Sequence, residues 1–407
     1  MAVPTLGTPS SGLDAYMAPH VKMAEFRGIV ATAPQGRLQT LAPYGGDFSG
    51  TSRFRVASVA KTFTAAAVDA LFKSGALSLE TRLGSLLPPF AGSPITIDHL
   101  LNHSSGVPDI YSLPEFASGH RNPISKADYI ALLAKQKLQF EPGTKSSYSN
   151  SGYSLLAFAV EAAAGKPFAE AQRQYVLDPL ALHDTGVLPG TDVVPGADPG
   201  SPNSTRPAEP LHPSWLIGNG SLYSTANDAL RWLTAIRQGT IVRTRTWPYP
   251  WGWGRNKAHT ILEGDGRYAG FACRFDVNLQ TGDAVVALSA IQSAVVNTVA
   301  QDIMDSLTGK PLVPESVRRF VQLDPNLAQE YAGKYKLSAD FVLEVRPFGN
   351  AIQIAGSDGV FEALDPLGED RFFFRVLNDE LAFKRSSAGI VEAIDWGPGA
   401  FTLTRET

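Results

Sequence analysis

The 407-residue chain has a single cysteine, Cys273, four methionines and seven histidines. One cysteine excludes an internal disulfide, a thiolate metal site and a Cys-based redox pair. Charge is scarce as well. Asp, Glu, Lys and Arg make up 18% of residues and the net charge is −4, so there is no basic field to attract nucleic acid. No apolar run is long enough to span a bilayer, and no membrane partner is expected. No His/Asp/Glu grouping has metal-ligand spacing, so neither a metal nor another cofactor is expected. The first residues, Met1 to Gly12, lack the basic start and apolar stretch of a secretory leader. A cytoplasmic location, or a leader already removed, is the expectation.

What is present begins with size. The length exceeds one ordinary core, so two domains are the prior. The texture changes near residue 310, where Lys310-Pro-Leu-Val-Pro314 reads as a linker. We therefore expect one domain over 1–312, a linker over 313–328 and a second domain over 329–407. Beyond Tyr331, seven short β-rich pieces alternate with turns: Phe341–Val345, Ala351–Ala355, Val360–Leu364, Arg371–Val376, Glu380–Lys384, Val391–Asp395 and Phe401–Thr404. Spacing of about ten residues predicts a small up-and-down barrel or sandwich. In the first domain, helical periodicity follows residue 58 and ends at Gly75. A second helix spans 151–163 before Gly165, and Thr225-Ala-Asn-Asp228 reads as a capping box before a third. Two strands, Ala272–Val277 and Ala284–Ser289, flank the turn 280–283. The Pro- and Gly-rich stretch 186–213 predicts a long loop of the kind that borders active sites.

The chemistry-bearing pattern is Ser58-x-x-Lys61, within Val-Ala-Ser-Val-Ala-Lys-Thr-Phe-Thr at 56–64. A serine hydroxyl needs a base within hydrogen-bond reach, and a helix sets positions i and i+3 on one face. Ser58 is thus a nucleophile candidate with Lys61 as its base. At the first turn of a helix it also meets free N–H groups and the positive dipole end. A second segment, Ser147-Tyr-Ser-Asn-Ser-Gly-Tyr153, sets a phenol and an amide two residues apart. Tyr148 can exchange protons if a lysine cation holds its pKa down, and Asn150 can orient the lysine and a substrate carbonyl.

Together these segments resemble the serine β-lactamase and penicillin-binding-protein superfamily, nearest the branch of class C β-lactamases, DD-carboxypeptidases, D-aminopeptidases and family VIII esterases. Phe54–Lys61 resembles the run into the nucleophile. Leu100-Leu-Asn-His-Ser-Ser-Gly-Val-Pro-Asp109, Pro142–Tyr153 and Gly218–Asp228 resemble three further segments of that branch. The resemblance covers roughly residues 25–305 and implies an α/β catalytic domain, with an antiparallel sheet flanked by helices plus a helical lobe between Ser58 and about residue 225. The region after 325 is similar to the lipocalin-like all-β domain of some members. The implied activity is a serine hydrolase that forms an acyl-enzyme on Ser58, with a small molecule or a peptide as substrate. Lys61 and Tyr148 would share the proton work, Asn150 would position, and backbone N–H groups would hold the oxyanion.

The third motif departs from the branch. Lys-Thr-Gly or His-x-Gly is expected before Pro-Gly-Phe, yet the run is Leu262-Glu-Gly-Asp-Gly-Arg-Tyr-Ala-Gly-Phe271. Aligning Ala269-Gly-Phe271 sets Gly264 where the basic residue belongs, followed by Asp265 and Gly266. Gly266 would let substrate approach, and the Arg267 N–H would be the second oxyanion donor beside Ser58. Arg267 or His259 is the candidate for a replacement charge. The missing cation argues against β-lactam or carboxy-terminal peptide turnover and leaves an ester or a D-residue-containing amide. Two rival readings keep the fold: a thioesterase or acyltransferase such as a peptide cyclase, and a non-catalytic ligand-binding module. Of the remaining notable residues, His103 reads as a structural hydrogen-bonder, Cys273 as a strand core residue, and Asp184 and Asp265 as surface or turn carboxylates. Trp247, Trp251 and Trp253 read as core packing or as a wall of the cleft.

Overall fold

The computed structural model describes residues 11–190, 192–200, 203–239, 250–338, 341–349, 351–356, 359–397 and 400–406. Trp247 lies outside the described residues. The catalytic domain is built on a six-stranded antiparallel sheet in the order Thr40–Tyr44, Gly28–Ala33, Ala284–Ser289, Phe271–Asn278, Ile261–Tyr268, Gly254–Arg255. Its central strands are apolar at successive positions because both faces are covered. Val30, Val285 and Ala287 pack with the helices Ser11–Lys22 and Val295–Ser306. Ile29, Val286, Leu288, Cys273 and Phe275 pack with the helical lobe on the other face. A period of two aimed at two helix layers produces this pattern.

In the lobe, the helix Ala60–Lys73 follows a single 3-10 turn, Ala57–Val59, that carries Ser58. Alanine side chains let this helix sink into the core, where Phe63 stacks on Trp232 of the helix Ala226–Arg237 at 4.0 Å between ring centroids. Gly75, at φ +78°, ends it, donating to the Phe72 carbonyl. The helix Asn150–Ala164 starts on Ser149, whose hydroxyl accepts from the Gly152 amide, and ends at Gly165 with φ +65°. At Thr225 half of the expected capping box forms: the Thr225 hydroxyl accepts from the Asp228 amide at 3.2 Å. The Asp228 carboxylate turns instead to the Asp184 amide and to Thr185, both at 2.9 Å, and ties the loop to the helix.

The C-terminal domain is a closed antiparallel barrel of eight strands, each paired with its neighbour in sequence. The strand missing from the sequence expectation is Gly333–Ser338, which closes the barrel through Tyr335 opposite Arg405. Its lysines alternate with one inward tyrosine, so it carries little apolar signal. Residues 310–324 have neither helix nor strand, and Pro325–Tyr331 is a helix whose Ala328 and Tyr331 belong to the barrel core. The Tyr331 ring lies 5.1 Å from Phe372 and 4.7 Å from Phe383 and fills one end of the barrel. The other end faces the catalytic domain. There Arg375 reaches across to the Gly200 and Ser204 carbonyls, Ser293 donates to the Arg375 carbonyl, and Arg206 pairs with Glu362.

Candidate active site

Ser58, Lys61, Tyr148 and Asn150 come together although 89 residues of chain separate Lys61 from Asn150. The Lys61 Nζ donates to Ser58 Oγ at 3.0 Å, to Asn150 Oδ1 at 2.8 Å and to the Asn219 carbonyl at 2.8 Å. The Tyr148 hydroxyl donates to the same Ser58 Oγ at 2.9 Å. The Lys61 ammonium also lies 5.0 Å from the centre of the Tyr148 ring. All three hydrogen-bond partners of Lys61 are neutral. Burial therefore dominates and pushes its pKa down to about 7, against an opposing pull from the charges of Asp109 and Asp265. A lysine that is half neutral near pH 7 can take a proton from the serine to which it is hydrogen-bonded.

A further layer holds these groups. Asp109 accepts from both the backbone N–H and the side-chain amide of Asn150, at 2.9 and 2.8 Å, and fixes which end of the amide faces Lys61. The Asn150 amide is thereby committed to protein partners at both ends. His103 is buried at φ +54°. Its carbonyl accepts from Ser147 at 2.9 Å and its Nδ1 from the Ser149 amide at 3.1 Å, gripping the segment on both sides of Tyr148. Its ring lies 4.7 Å from the tyrosine ring. Burial, reinforced by the Lys61 charge, lowers its pKa to about 3, so it is a neutral positioning residue at ordinary pH. Asp109, Asn219 and the glycines Gly252 and Gly254 went unassigned in the sequence reading. Asp109 and Asn219 stand inside the family-like segments Leu100–Asp109 and Gly218–Asp228, which is where the signal lay.

The cavity over Ser58 has a volume of about 310 Å³ and is lined by Lys61, His103, Tyr148, Gly252, Gly254 and residues 265–267. The third motif sits on the strand Ile261–Tyr268, and its glycines serve packing. A Cβ on Gly264 would fall 2.9 Å from the Trp253 ring, and one on Gly266 would fall 2.7 Å from both the Ser58 amide and the Val56 carbonyl. Gly264 is therefore a floor position with no room for a side chain, and Gly266 makes room for the nucleophile's own backbone as well as for a substrate. Tyr268 and Phe271 close a hairpin with a two-residue turn, so alternation points the Arg267 N–H away from the neighbouring strand. Past Glu263 the short strand Gly254–Arg255 no longer pairs with that edge. The Arg267 amide thus opens beside the Ser58 amide, and two N–H donors face the cavity. The Arg267 guanidinium instead donates to the Val376 carbonyl of the barrel and is no substitute for the absent lysine. His259 is exposed in the turn before Ile261, roughly 17 Å of extended strand from Gly266. It does not reach the site. Trp251 and Trp253 are buried in the core and line no part of the Ser58 cavity. Cys273 is buried, donates to the Val56 carbonyl at 3.1 Å and has its thiol pKa raised by desolvation. Asp184 pairs with Arg53 at 2.9 Å, away from the site. Among the described residues no His, Cys, Asp or Glu cluster has metal-binding geometry, and no helix is long and apolar enough to cross a membrane.

A serine bonded to a buried, pKa-lowered lysine and to a tyrosine is the arrangement of a serine hydrolase. The sequence pattern of the Beta-lactamase family matches residues 13–294, and the chain belongs to that family. It is similar to "Penicillin-binding protein 4*" of Bacillus subtilis, 26% identical over 82% of each chain. It is also similar to "Esterase EstB" of Burkholderia gladioli, 32% identical over 45% of this chain and 57% of that one. Among solved structures, one of SurE shares the fold over 97% of both chains at a TM-score of 0.61 and 21% identity.

Proposed function

We propose that the protein cleaves an ester, or an amide containing a D-residue, through an acyl-enzyme on Ser58, with uncharged ester donors as the preferred class. The observation that carries the reading is Lys61: bonded to Ser58 Oγ at 3.0 Å, with no carboxylate among its hydrogen-bond partners and a pKa near 7. Neutral Lys61 takes the Ser58 proton as Oγ attacks the carbonyl. The oxyanion lies between the Ser58 and Arg267 amides. The Tyr148 hydroxyl, 2.9 Å from Oγ and open to the cleft, relays a proton to the leaving oxygen or nitrogen. Water then releases the acyl group and regenerates the serine. Preference for uncharged donors rests on the cavity wall. His103 is neutral, Lys61 is committed to the base network, the Arg267 guanidinium is turned to the barrel, and Gly264 replaces the family's cation. Among the described residues lining the cavity, no fixed cation waits for a substrate carboxylate.

Labelling by a fluorophosphonate, and hydrolysis of p-nitrophenyl acetate or butyrate, should both vanish in Ser58→Ala. Undiminished turnover in that variant would sink the assignment. Adding an amine acceptor or a peptidyl thioester to the same assay distinguishes hydrolysis from acyl transfer: transferred or cyclised product supports the acyltransferase reading, and free acid alone argues against it.

A further inference from the structure

A second cavity, of about 750 Å³ and larger than the one over Ser58, lies beside it between the mouth of the barrel and the catalytic domain. That size accommodates a drug-sized ligand. Its barrel wall is the interior of the open end. Leu343, Ile354, Phe374 and Leu403 point into it from four strands, with Leu337 and Phe341 at the rim. The two rim residues are 43% and 42% exposed and carry the apolar lining out to solvent. Tyr331, Tyr335, Phe372 and Phe383 pack together at the closed end, so barrel filling stops short of this mouth.

The facing wall belongs to the catalytic domain. Tyr111 and Tyr268 stack there, 5.0 Å apart and 12° from parallel, beside Ala269, Pro210 and Leu211. Three of the four lining carboxylates are engaged by protein cations: Arg206 contacts Asp198, Glu209 and Glu362 within 3.6 Å, and Arg121 contacts Glu209 at 2.8 Å; the fourth, Asp109, accepts from Asn150 and from the Tyr111 amide. The space thus presents an aromatic and aliphatic surface to whatever enters. It also shares a wall with the catalytic centre. Asn150 lines it while accepting from Lys61, and Tyr268 follows directly on Arg267, whose amide opens on the Ser58 cavity. The Arg267 guanidinium and Ser293 hold the barrel strand end at Val376 and Arg375 against this edge, so the mouth is seated on the reaction site.

We propose that this barrel-mouth cavity binds the apolar acyl chain of the substrate, an uncharged aliphatic or aryl-alkyl group of medium length, while its carbonyl lies at Ser58. The inference rests on the acyl-serine reading above. A short acyl group would use the Ser58 cavity alone, whereas a longer chain would pass Tyr268 and enter the barrel mouth.

The test is a p-nitrophenyl ester series (acetate, butyrate, octanoate) with constant leaving group on the full-length protein. Each methylene moved from water to an apolar wall is worth up to about fourfold. The octanoate should therefore exceed the acetate in kcat/KM by tenfold or more. Phe341→Asp and Leu337→Asp, both at the half-exposed rim, should cut octanoate turnover at least tenfold and leave acetate turnover and fluorophosphonate labelling within twofold. Equal rates across the wild-type series, or an equal fall for acetate and octanoate in a folded variant, would overturn the proposal. A binding arm keeps it separate from the catalytic reading. N-phenyl-1-naphthylamine, an uncharged apolar fluorophore, titrated into Ser58→Ala should brighten saturably, and Phe341→Asp added to that background should abolish the response. Absence of ester turnover and labelling with the fluorophore still bound would strike the acyl-serine reading. Turnover and labelling with no fluorophore response would strike the cavity.

Discussion

Two cations are each buried to 1% exposure on either side of the domain interface, Lys61 in the helical lobe and Arg375 in the barrel. Arg375 is held by the Asp365 carboxylate and donates to the Ser204 and Gly200 carbonyls at 2.8 and 2.9 Å. A carboxylate at contact compensates its charge. Lys61 has three neutral partners, and the carboxylate with the larger pull on it, Asp109, acts one residue removed, through Asn150. Equal burial thus yields a permanent clamp in one place and a labile proton in the other. What separates them is the distance to the compensating negative charge. A carboxylate in contact would have locked Lys61 as an ion pair; an amide spacer keeps the charge close enough to permit protonation and far enough to permit its loss.

The sharpest break of this contrast is to make Lys61 permanently charged. Lys61→Arg should lose about 10³-fold or more in kcat on p-nitrophenyl butyrate, since a general base of this kind contributes roughly 10² to 10⁴-fold, with a far-ultraviolet spectrum like that of the wild type. Activity within tenfold of wild type would mean that Tyr148 alone serves as base. Next in size, Arg375→Met removes one partner of the buried pair and leaves Asp365 and two carbonyls without it. A cost of about 3–5 kcal/mol is expected, read by calorimetry as a lowered or split unfolding transition, and the double variant Arg375→Met with Asp365→Leu should recover most of it.

Much of this contrast was legible in the sequence, unevenly. Ser58-x-x-Lys61 could be paired by helix geometry, and Tyr148-x-Asn150 by residue chemistry and family resemblance. Their convergence needed the fold, because no local pattern brings Lys61 to the Asn219 carbonyl 158 residues away. The depressed lysine pKa follows from burial among neutral groups, which is a tertiary property. The barrel was readable from seven evenly spaced apolar runs. Its first strand was hidden by Lys334 and Lys336, which face outward around the single inward Tyr335. His259 and Arg267 were plausible replacement cations by proximity in sequence alone. Strand length carries the first away from the site, and alternation turns the second to the barrel. The stretch 186–213 is not one loop, since it holds the short strands Gly186–Val187, Ala197–Pro199 and Thr205–Pro207, and through Asp198 and residues 209–211 it borders the barrel mouth rather than Ser58.

The labile proton of Lys61 should also make stability depend on pH. The Lys61 pKa falls from 10.5 unfolded to about 7 folded. Between those values the unfolded chain binds more protons than the folded one, so this group makes stability rise with pH, by up to about 1.4 kcal/mol per unit. Urea unfolding at pH 7.5 and 9 should show wild type gaining on Lys61→Met over that interval. Parallel curves for wild type and Lys61→Met would mean that Lys61 keeps its proton when folded.

The smallest effect tests the remote carboxylates. Neutral Lys61 is the competent form, so kcat/KM should rise with pH through about 7 and level off above it. Asp265 opposes proton loss from Lys61 through space, and the Arg274 pair opposite it on the neighbouring strand is a bystander to that effect. Asp265→Asn removes the opposing charge and keeps the side chain's shape. Proton loss from Lys61 then becomes easier and the acid limb moves to lower pH, so the variant gains on wild type at pH 6 and matches it at pH 9. Asp109→Asn should move the limb in the same direction, and further, because Asp109 exerts the larger of the two opposing pulls on Lys61. A limb that moves to higher pH in either variant would reverse the sign on which the comparison with Arg375 depends: it would mean that the carboxylates hold Lys61 neutral through their hydrogen-bond network rather than charged through their field.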